Sequence, residues 1–264
     1  MHKIVLILTS LIFVLVTSCK SQNNKNPETQ KFLDKVKSDF VFIEGGTFLM
    51  GSNRFPEASP THDVTIDSYS ISKYETTFEE YDFYTKINKL DKVAAKWRDQ
   101  DGMGPKYAAW NMTWNQAREY CQWLGKQLDL PIDLPTEAQW EYAARNKGLP
   151  VEHATNNGKI EGGENDNYAS KEPVGIKPPS PIGLYDMSGG IQEWTLDWYG
   201  NYRSKPLTNP TGKDIGDDYE GQEKVVRGWH NLTNTTVTRG HRPVESTGTA
   251  IGIRCVCNQK TPIN

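Results

Sequence analysis

The chain has 264 residues and a formal net charge of −3, enough for one large domain or a medium domain with extensions. Its weakly acidic balance argues against nucleic acid as a partner, which calls for a basic face. With 36% hydrophobic and 24% charged residues a core can form, and the 8 Trp, 12 Tyr, 22 Gly and 15 Pro point to an irregular, loop-heavy fold built around large rings.

The N-terminus reads MHKIVLILTSLIFVLVTSCKSQ. A short basic start precedes an apolar run from Ile4 to Val16, and small residues lead to Cys19. The run is too short for a comfortable transmembrane helix and matches a secretory signal, assigned to residues 1–18. VTSC resembles a bacterial lipobox, in which Cys19 becomes the lipidated first residue of the mature chain. Its acyl chains, worth about 0.8 kcal/mol per buried methylene, would anchor the protein in a membrane of the bacterial cell envelope. Plain secretion with an ordinary cleavage site is the alternative. Lys20–Lys31 is polar and reads as a flexible tether. The expected layout is a lipidated N-terminus and tether over 19–38, a domain over 39–258 and a tail over 259–264. Export permits disulfides. Beyond Cys19 stand Cys121, Cys255 and Cys257, an odd number, so one pair forms at most.

VFIEGGTFLMGS places two apolar runs around Gly45-Gly46, a hairpin signal. Val64–Ile71 alternates like a strand. Thr77-x-x-Glu80, Thr113-x-x-Gln116 and Thr136-x-x-Gln139 are capping boxes that open three helices. The second aligns Ala117, Tyr120, Cys121, Leu124 and Leu128; the third runs to Arg145. Residues 146–222 are rich in Gly, Asn, Asp and Pro and show no obvious regular structure. Metal or buried aromatics are expected to hold them. Lys224–Arg227 and Gly252–Val256 read as short late strands.

Within that stretch, GLYDMSGGIQEWTLDWYG (183–200) sets Asp186 and Glu193 among glycines and tryptophans. A turn through Ser188-Gly189-Gly190 can aim the two carboxylates and the carbonyls of Gly189 and Ile191 at one point. Hard oxygens with two negative charges suit calcium. The same spacing also suits Asp186 capping a turn and Glu193 accepting from backbone amides.

FVFIEGGTFLMGS, DVTIDSYSISKYETTFEEYDFY, MTWNQAREYCQWLGKQL, LPTEAQWEYAAR, PVGIKPPSPIGLYDMSGGIQEW and IGIRCV occur in that order. Together they resemble the formylglycine-generating enzyme (sulfatase-modifying factor) family from about Asp39 to Val256. The resemblance implies a single irregular α+β domain, related to C-type lectins and poor in regular structure. It implies a structural calcium site on Asp186, Gly189 (carbonyl), Ile191 (carbonyl) and Glu193. For a second calcium site, NDNYASKEPVG supplies Asp166 (side chain) and Tyr168 (carbonyl); its remaining Asn has no counterpart in 146–165, and Asn167 is a fallback. The resemblance also implies a Cys121–Cys255 bridge, with Cys257 spare.

The family's enzymes oxidise a substrate cysteine with copper held by two cysteines near the C-terminus. The matching stretch here, VVRGWHNLTNTTVTRGHRP, has Trp229, His230 and Asn231 where the family has Gly, Ser and an aromatic. It contains no cysteine, so no copper is expected, because the soft thiolates that suit Cu(I) are missing. His230, Arg239, His241 and Arg242 could form a groove for an anionic or peptide ligand; alternatively the arginines pair with acids of the calcium loop and the histidines pack. The chain resembles, in layout, lipoproteins of gliding motility and its associated secretion. It is expected to be a lipid-anchored, noncatalytic domain that binds protein or peptide or scaffolds an envelope complex. An oxidase or other enzyme of the family with a rebuilt site is the alternative.

Overall fold

The computed structural model describes residues 26–167, 172–211, 223–228, 235–247 and 250–263. Cys19, Tyr168 and His230 lie outside the described residues. The architecture is a mixed α and β domain in which short helices pack on three small sheets, as the resemblance implies.

The three threonine boxes start helices α2 (Phe78–Asn88), α4 (Trp114–Leu128) and α5 (Glu137–Ala144), each with both reciprocal bonds in place. Thr77 Oγ1 accepts from Glu80 N at 3.3 Å, and Glu80 Oε2 accepts from Thr77 N at 2.9 Å. These bonds satisfy orphan amides of the first turn. Two further helices carry no such box and went unread in the sequence: α1 (Pro27–Ser38) and α3 (Ala95–Asp101).

Helix α1 corrects the expected tether. Asn26 caps it, its Oδ1 accepting from Glu28 N at 3.0 Å, and Pro27 suits the first turn. Leu33 and Val36 are buried, and Phe32 stacks on Phe83 at 4.1 Å. A polar composition had hidden this narrow stripe. The folded domain therefore begins near Asn26 rather than Asp39.

The first sheet has the order β1 (Phe40–Ile43), β4 (Tyr69–Ser72), β11 (Val256–Cys257), β5 (Ile132–Asp133), all antiparallel. The second pairs β2 (Gly46–Met50) with β3 (His62–Ile66), and β3 in parallel with β7 (Leu207–Thr208). The third runs β10 (Ile251–Gly252), β6 (Gln192–Trp198), β8 (Glu223–Arg227), β9 (Gly240–Pro243). So β1 and β2 do not form the expected hairpin; they enter different sheets. Gly45 makes the crossing possible, because a Cβ there would sit 2.2 Å from the Ile66 carbonyl oxygen. The run Val64–Ile71 is likewise two strands broken at Asp67-Ser68, and the run Gly252–Val256 is split between β10 and β11. The stretch read as bare contains β6, five of whose seven residues are buried.

Two apolar clusters result. One joins α2 and α4 through Phe78, Tyr81, Tyr84 and Tyr120 and reaches Trp194; the other joins α5 to β2, β3 and β4 through Trp140, Met50 and Ile71. Cys121 of α4 is bridged to Cys255, 134 residues away, with Cα atoms 5.7 Å apart. Cys257 is a free, fully buried thiol on β11.

Candidate functional site

The segment 183–191 reverses direction before β6. Asp186 takes a left-handed backbone, φ 59°, and Gly190 follows at φ 60°. Gly190 is irreplaceable for a second reason: a Cβ there would lie 2.3 Å from Glu75 Oε1. Glu75 Oε1 accepts from Ile191 N at 2.7 Å, and the Asn167 carbonyl accepts from Gly190 N at 2.7 Å. The turn is thus clasped between the end of the β4 region and the Asn167 loop.

Glu193, on β6, faces the opposite fate from a free ligand. Its Oε1 accepts from Arg254 Nε at 2.9 Å and pairs with Nη2 at 2.8 Å, while Oε2 accepts from Trp140 Nε1 at 2.6 Å. Arg254 gives its remaining donors to the carbonyls of Ser72 (3.0 Å), Lys73 (2.9 Å) and Tyr185 (2.9 Å). Both side chains are fully buried. The carboxylate is therefore held by side chains, not by the backbone amides that the spacing also allowed.

Asp186 is different. Its Oδ2 accepts from Gly175 N at 2.8 Å, but Oδ1 is buried without a partner, as are Asn167 Oδ1 and Glu75 Oε2. Burial, with Asp186 and Glu193 as like-charged neighbours, holds the Glu75 carboxyl well above the usual range. Burial also raises Asp186, against the pull of the Gly175 amide and Arg254. Three carboxyls thus share one guanidinium, and ionising all three would leave two negative charges without a protein counterion among these four groups, which is why burial and mutual repulsion hold Glu75 and Asp186 up. Three orphaned oxygens and that charge surplus suit a hard divalent cation. Among the described residues no three acidic, His or Cys side chains converge closely enough to hold a metal alone, so Asn167 and carbonyls would have to complete the shell. Glu75 was missed in the sequence, where it reads as one more residue of KYETTF before a capping box.

Asp166, expected at a second cation site, accepts from Gly163 N at 2.7 Å through Oδ1 and closes its own loop. Nearby, Asn165 Nδ2 donates to Asn156 Oδ1 at 3.0 Å and to the Lys159 carbonyl at 2.9 Å. Side-chain amides therefore organise residues 155–166.

The expected ligand groove does not form as drawn. Arg239 is buried and saturated: Nε and Nη2 pair with Glu137 (2.7 and 3.0 Å), and Nη1 donates to the carbonyls of Glu57 (2.8 Å) and Gly200 (2.9 Å). Its guanidinium lies 3.9 Å over the Tyr202 ring. The arginine's partner acid comes from α5, not from the calcium loop. Arg227 joins the same network through Glu137 (2.8 Å) and Glu141 (3.0 Å). Asp197 adjoins it, with Oδ2 accepting from Glu137 N at 2.7 Å and Oδ1 unpartnered. Burial and the Glu137 charge push the Asp197 carboxyl up to about 7. His241 and Arg242 stay at the surface on β9. His241 Nδ1 contacts Glu223, its ring stacks on Tyr199 at 4.1 Å, and Arg242 Nη1 donates to the His241 carbonyl at 2.7 Å. Thr235–Val237 line an open depression of about 200 Å³ with Arg54, Phe55 and Arg145.

Known proteins share this frame. The chain is 27% identical over 241 residues to "Serine/threonine-protein kinase pkn1" of Chlamydia caviae, covering 83% of this chain but only 38% of that protein. It therefore spans well under half the length of the chlamydial relatives. It is 25% identical to the formylglycine-generating enzyme of Mus musculus, over 83% of this chain and 74% of that one. It is 24% identical to "Inactive C-alpha-formylglycine-generating enzyme 2" of Mus musculus, over 84% and 86%. Among solved structures, PvdO from Pseudomonas aeruginosa superposes with a TM-score of 0.69 at 24% identity, covering 83% of this chain and 93% of that one. Treponema denticola variable protein 1 gives the same TM-score at 20% identity, over 83% and 95%. Residues 25–259 match the family model, a span that takes in α1 together with the Glu193–Arg254 and Glu137–Arg239 networks, and the chain belongs to the family of sulfatase-modifying factor enzyme 1-like domains.

Proposed function

We propose that this is a noncatalytic member of its family, anchored by a lipid on Cys19 in the bacterial cell envelope, which binds protein or peptide or scaffolds an envelope complex. The observation that carries this reading is the fate of the cysteines. Cys121 and Cys255 are consumed by their bridge, Cys257 is buried on β11, and the sequence between Cys121 and Cys255 holds no other. A copper centre built on two thiolates near the C-terminus would have no ligands here. The inactive-named murine relative supports the idea that the frame outlives the oxidase. Half-buried His241 and Arg242 on β9 and the depression beside Thr235–Val237 are the places where a peptide would bind. The layout resembles lipoproteins of gliding motility and its associated secretion, and we propose a role of that kind.

Calcium completes the proposal as a structural ion. Asp186 and the carbonyls of Gly189 and Ile191 would hold it, with Glu75 and Asn167 supplying the orphaned oxygens and Glu193 shared with Arg254. The ion would neutralise the surplus negative charge and fix the turn. The second site, through Asp166 and Tyr168, is proposed on the family pattern alone.

The test of the noncatalytic reading is direct. Purified protein is incubated with copper, oxygen and a Cys-x-Pro-x-Arg peptide, and the peptide is assayed for an aldehyde. The expected product is unmodified peptide. Aldehyde formed at a rate that scales with protein would overturn the reading.

A further inference from the structure

We infer that the segment from Lys86 to Arg98, KINKLDKVAAKWR, is a membrane-facing surface that rests the domain against anionic phospholipid headgroups. The inference rests on the lipid-anchor reading above and deepens it by fixing which face meets the bilayer.

The segment carries Ile87, Leu90 and Trp97, exposed by 45, 50 and 45%. Lys86, Lys89, Lys92 and Lys96 are interleaved with them and are also exposed. The segment's four lysines and Arg98 meet Asp91 within it and Glu28 and Asp82 packed against it, a surplus of two positive charges (five cations against three acids) on a chain that is net negative. Asp99 and Asp101 follow only at the far end of α3. A face that is both apolar and basic, on a chain of opposite overall sign, has the character of an interfacial binding surface.

The display is held in place rather than frayed. Asp82 of α2 accepts from Arg98 Nη1 at 2.9 Å and Nη2 at 3.0 Å and pairs with Lys92 at 3.1 Å. Arg98 lies 4.2 Å over the Phe78 ring, and Val93 and Ala94 are buried beneath the loop. With its anchors turned inward, the segment keeps Ile87, Leu90 and Trp97 in solvent.

Position supplies the occupant. Glu28, at the start of α1, pairs with Lys86 Nζ at 2.9 Å, so the segment sits beside the point where the N-terminal chain enters the domain. Six residues lie between Cys19 and Asn26, and the seven steps from one to the other span at most about 25 Å. The docked α1 removes the slack that a tether to residue 38 would have given. A lipid on Cys19 therefore keeps this end of the domain at the bilayer, where lysines meet anionic headgroups and a tryptophan enters the interface.

The full lipidated chain, reconstituted in phosphatidylethanolamine/phosphatidylglycerol vesicles with acyl chains brominated near the headgroup, tests the inference. Bromine should quench tryptophan emission, and Trp97→Phe should remove most of that quenching. Lys89→Glu with Lys96→Glu, or vesicles of phosphatidylcholine alone, should restore Trp97 emission while the chain still floats with the vesicles. Equal quenching in wild type and Trp97→Phe, with co-flotation intact, would overturn the patch alone; a doubled mass in detergent would then assign it to a second copy of the chain. Failure to co-float would overturn the anchor and the patch together.

Discussion

Arg254 and Glu193 form a fully buried ion pair, Nη2 to Oε1 at 2.8 Å, in which the guanidinium also binds three backbone carbonyls and the carboxylate also receives the Trp140 indole. One pair thereby ties together the end of β4, the turn at Tyr185, β6, α5 and the final strands. The acid beside Trp194 is thus an architectural group, holding five parts of the fold through one ion pair.

Glu193→Ala should be strongly destabilising, because it strands a buried charge. A loss of about 3–5 kcal/mol is expected for removing one partner of such a pair. Urea unfolding followed by tryptophan fluorescence measures it. A loss below about 1 kcal/mol would mean that Arg254 finds another partner or water.

Chelation separates the ion from the pair. EDTA should lower the melting temperature of the wild type, and added calcium should restore it. Asp186→Asn should melt at the same temperature with and without EDTA, since it keeps the Gly175 contact but loses the charge. Glu193→Ala is the poorer probe, because it also breaks the Arg254 pair. Identical wild-type curves in EDTA and in calcium would remove the metal from the account.

Asp197 gives a pH signature with a definite sign. Its folded carboxyl titrates at about 7, raised by burial and by Glu137 from 3.8. Between those values the folded state holds a proton that the unfolded chain has lost. This group's contribution to stability therefore falls as pH rises from about 4 to about 7 and is level above that. Asp197→Asn, which keeps an acceptor for Glu137 N, should remove that decline and gain on the wild type at pH 8 relative to pH 5. Parallel stability curves for the two proteins would contradict the assignment.

The bridge should be found by mass mapping under non-reducing conditions as a Cys121 peptide joined to a Cys255 peptide. Cys257 should resist alkylation until the protein unfolds, because burial hides its thiol and raises it above its ordinary value. Closing a loop of 134 residues is worth about 5 kcal/mol by loop entropy. Cys121→Ser should lower the urea midpoint accordingly. An alkylated Cys121 in oxidised, envelope-derived protein would refute the pairing.

Much of the frame was legible because its signals are local. The threonine boxes at 77, 113 and 136 satisfy their own amides within four residues, and a helix start of that kind does not depend on distant contacts. The strands were less legible. Val64–Ile71 reads as one strand, yet its alternation slips a step at Asp67-Ser68, and there the chain passes from one sheet to another beside Gly45. Helix α1 escaped notice because its three apolar residues lie among lysines and acids, and only the surface of α4 and Phe83 gives that stripe something to bury.

The sequence by itself determined the family frame, the three threonine-capped helix starts and the absence of cysteines from the C-terminal loop, because each is written in residue identity and short spacing. Which charges pair was decided only by the tertiary structure. Arg254 lies 61 residues from Glu193, and Arg239 lies 102 from Glu137. A buried charge is stable only beside a partner of opposite sign, and folding, not spacing, chose that partner. The same folding left Glu75, Asn167 and Asp186 each with an unpartnered buried oxygen, and it brought Glu75 to the turn from outside the motif.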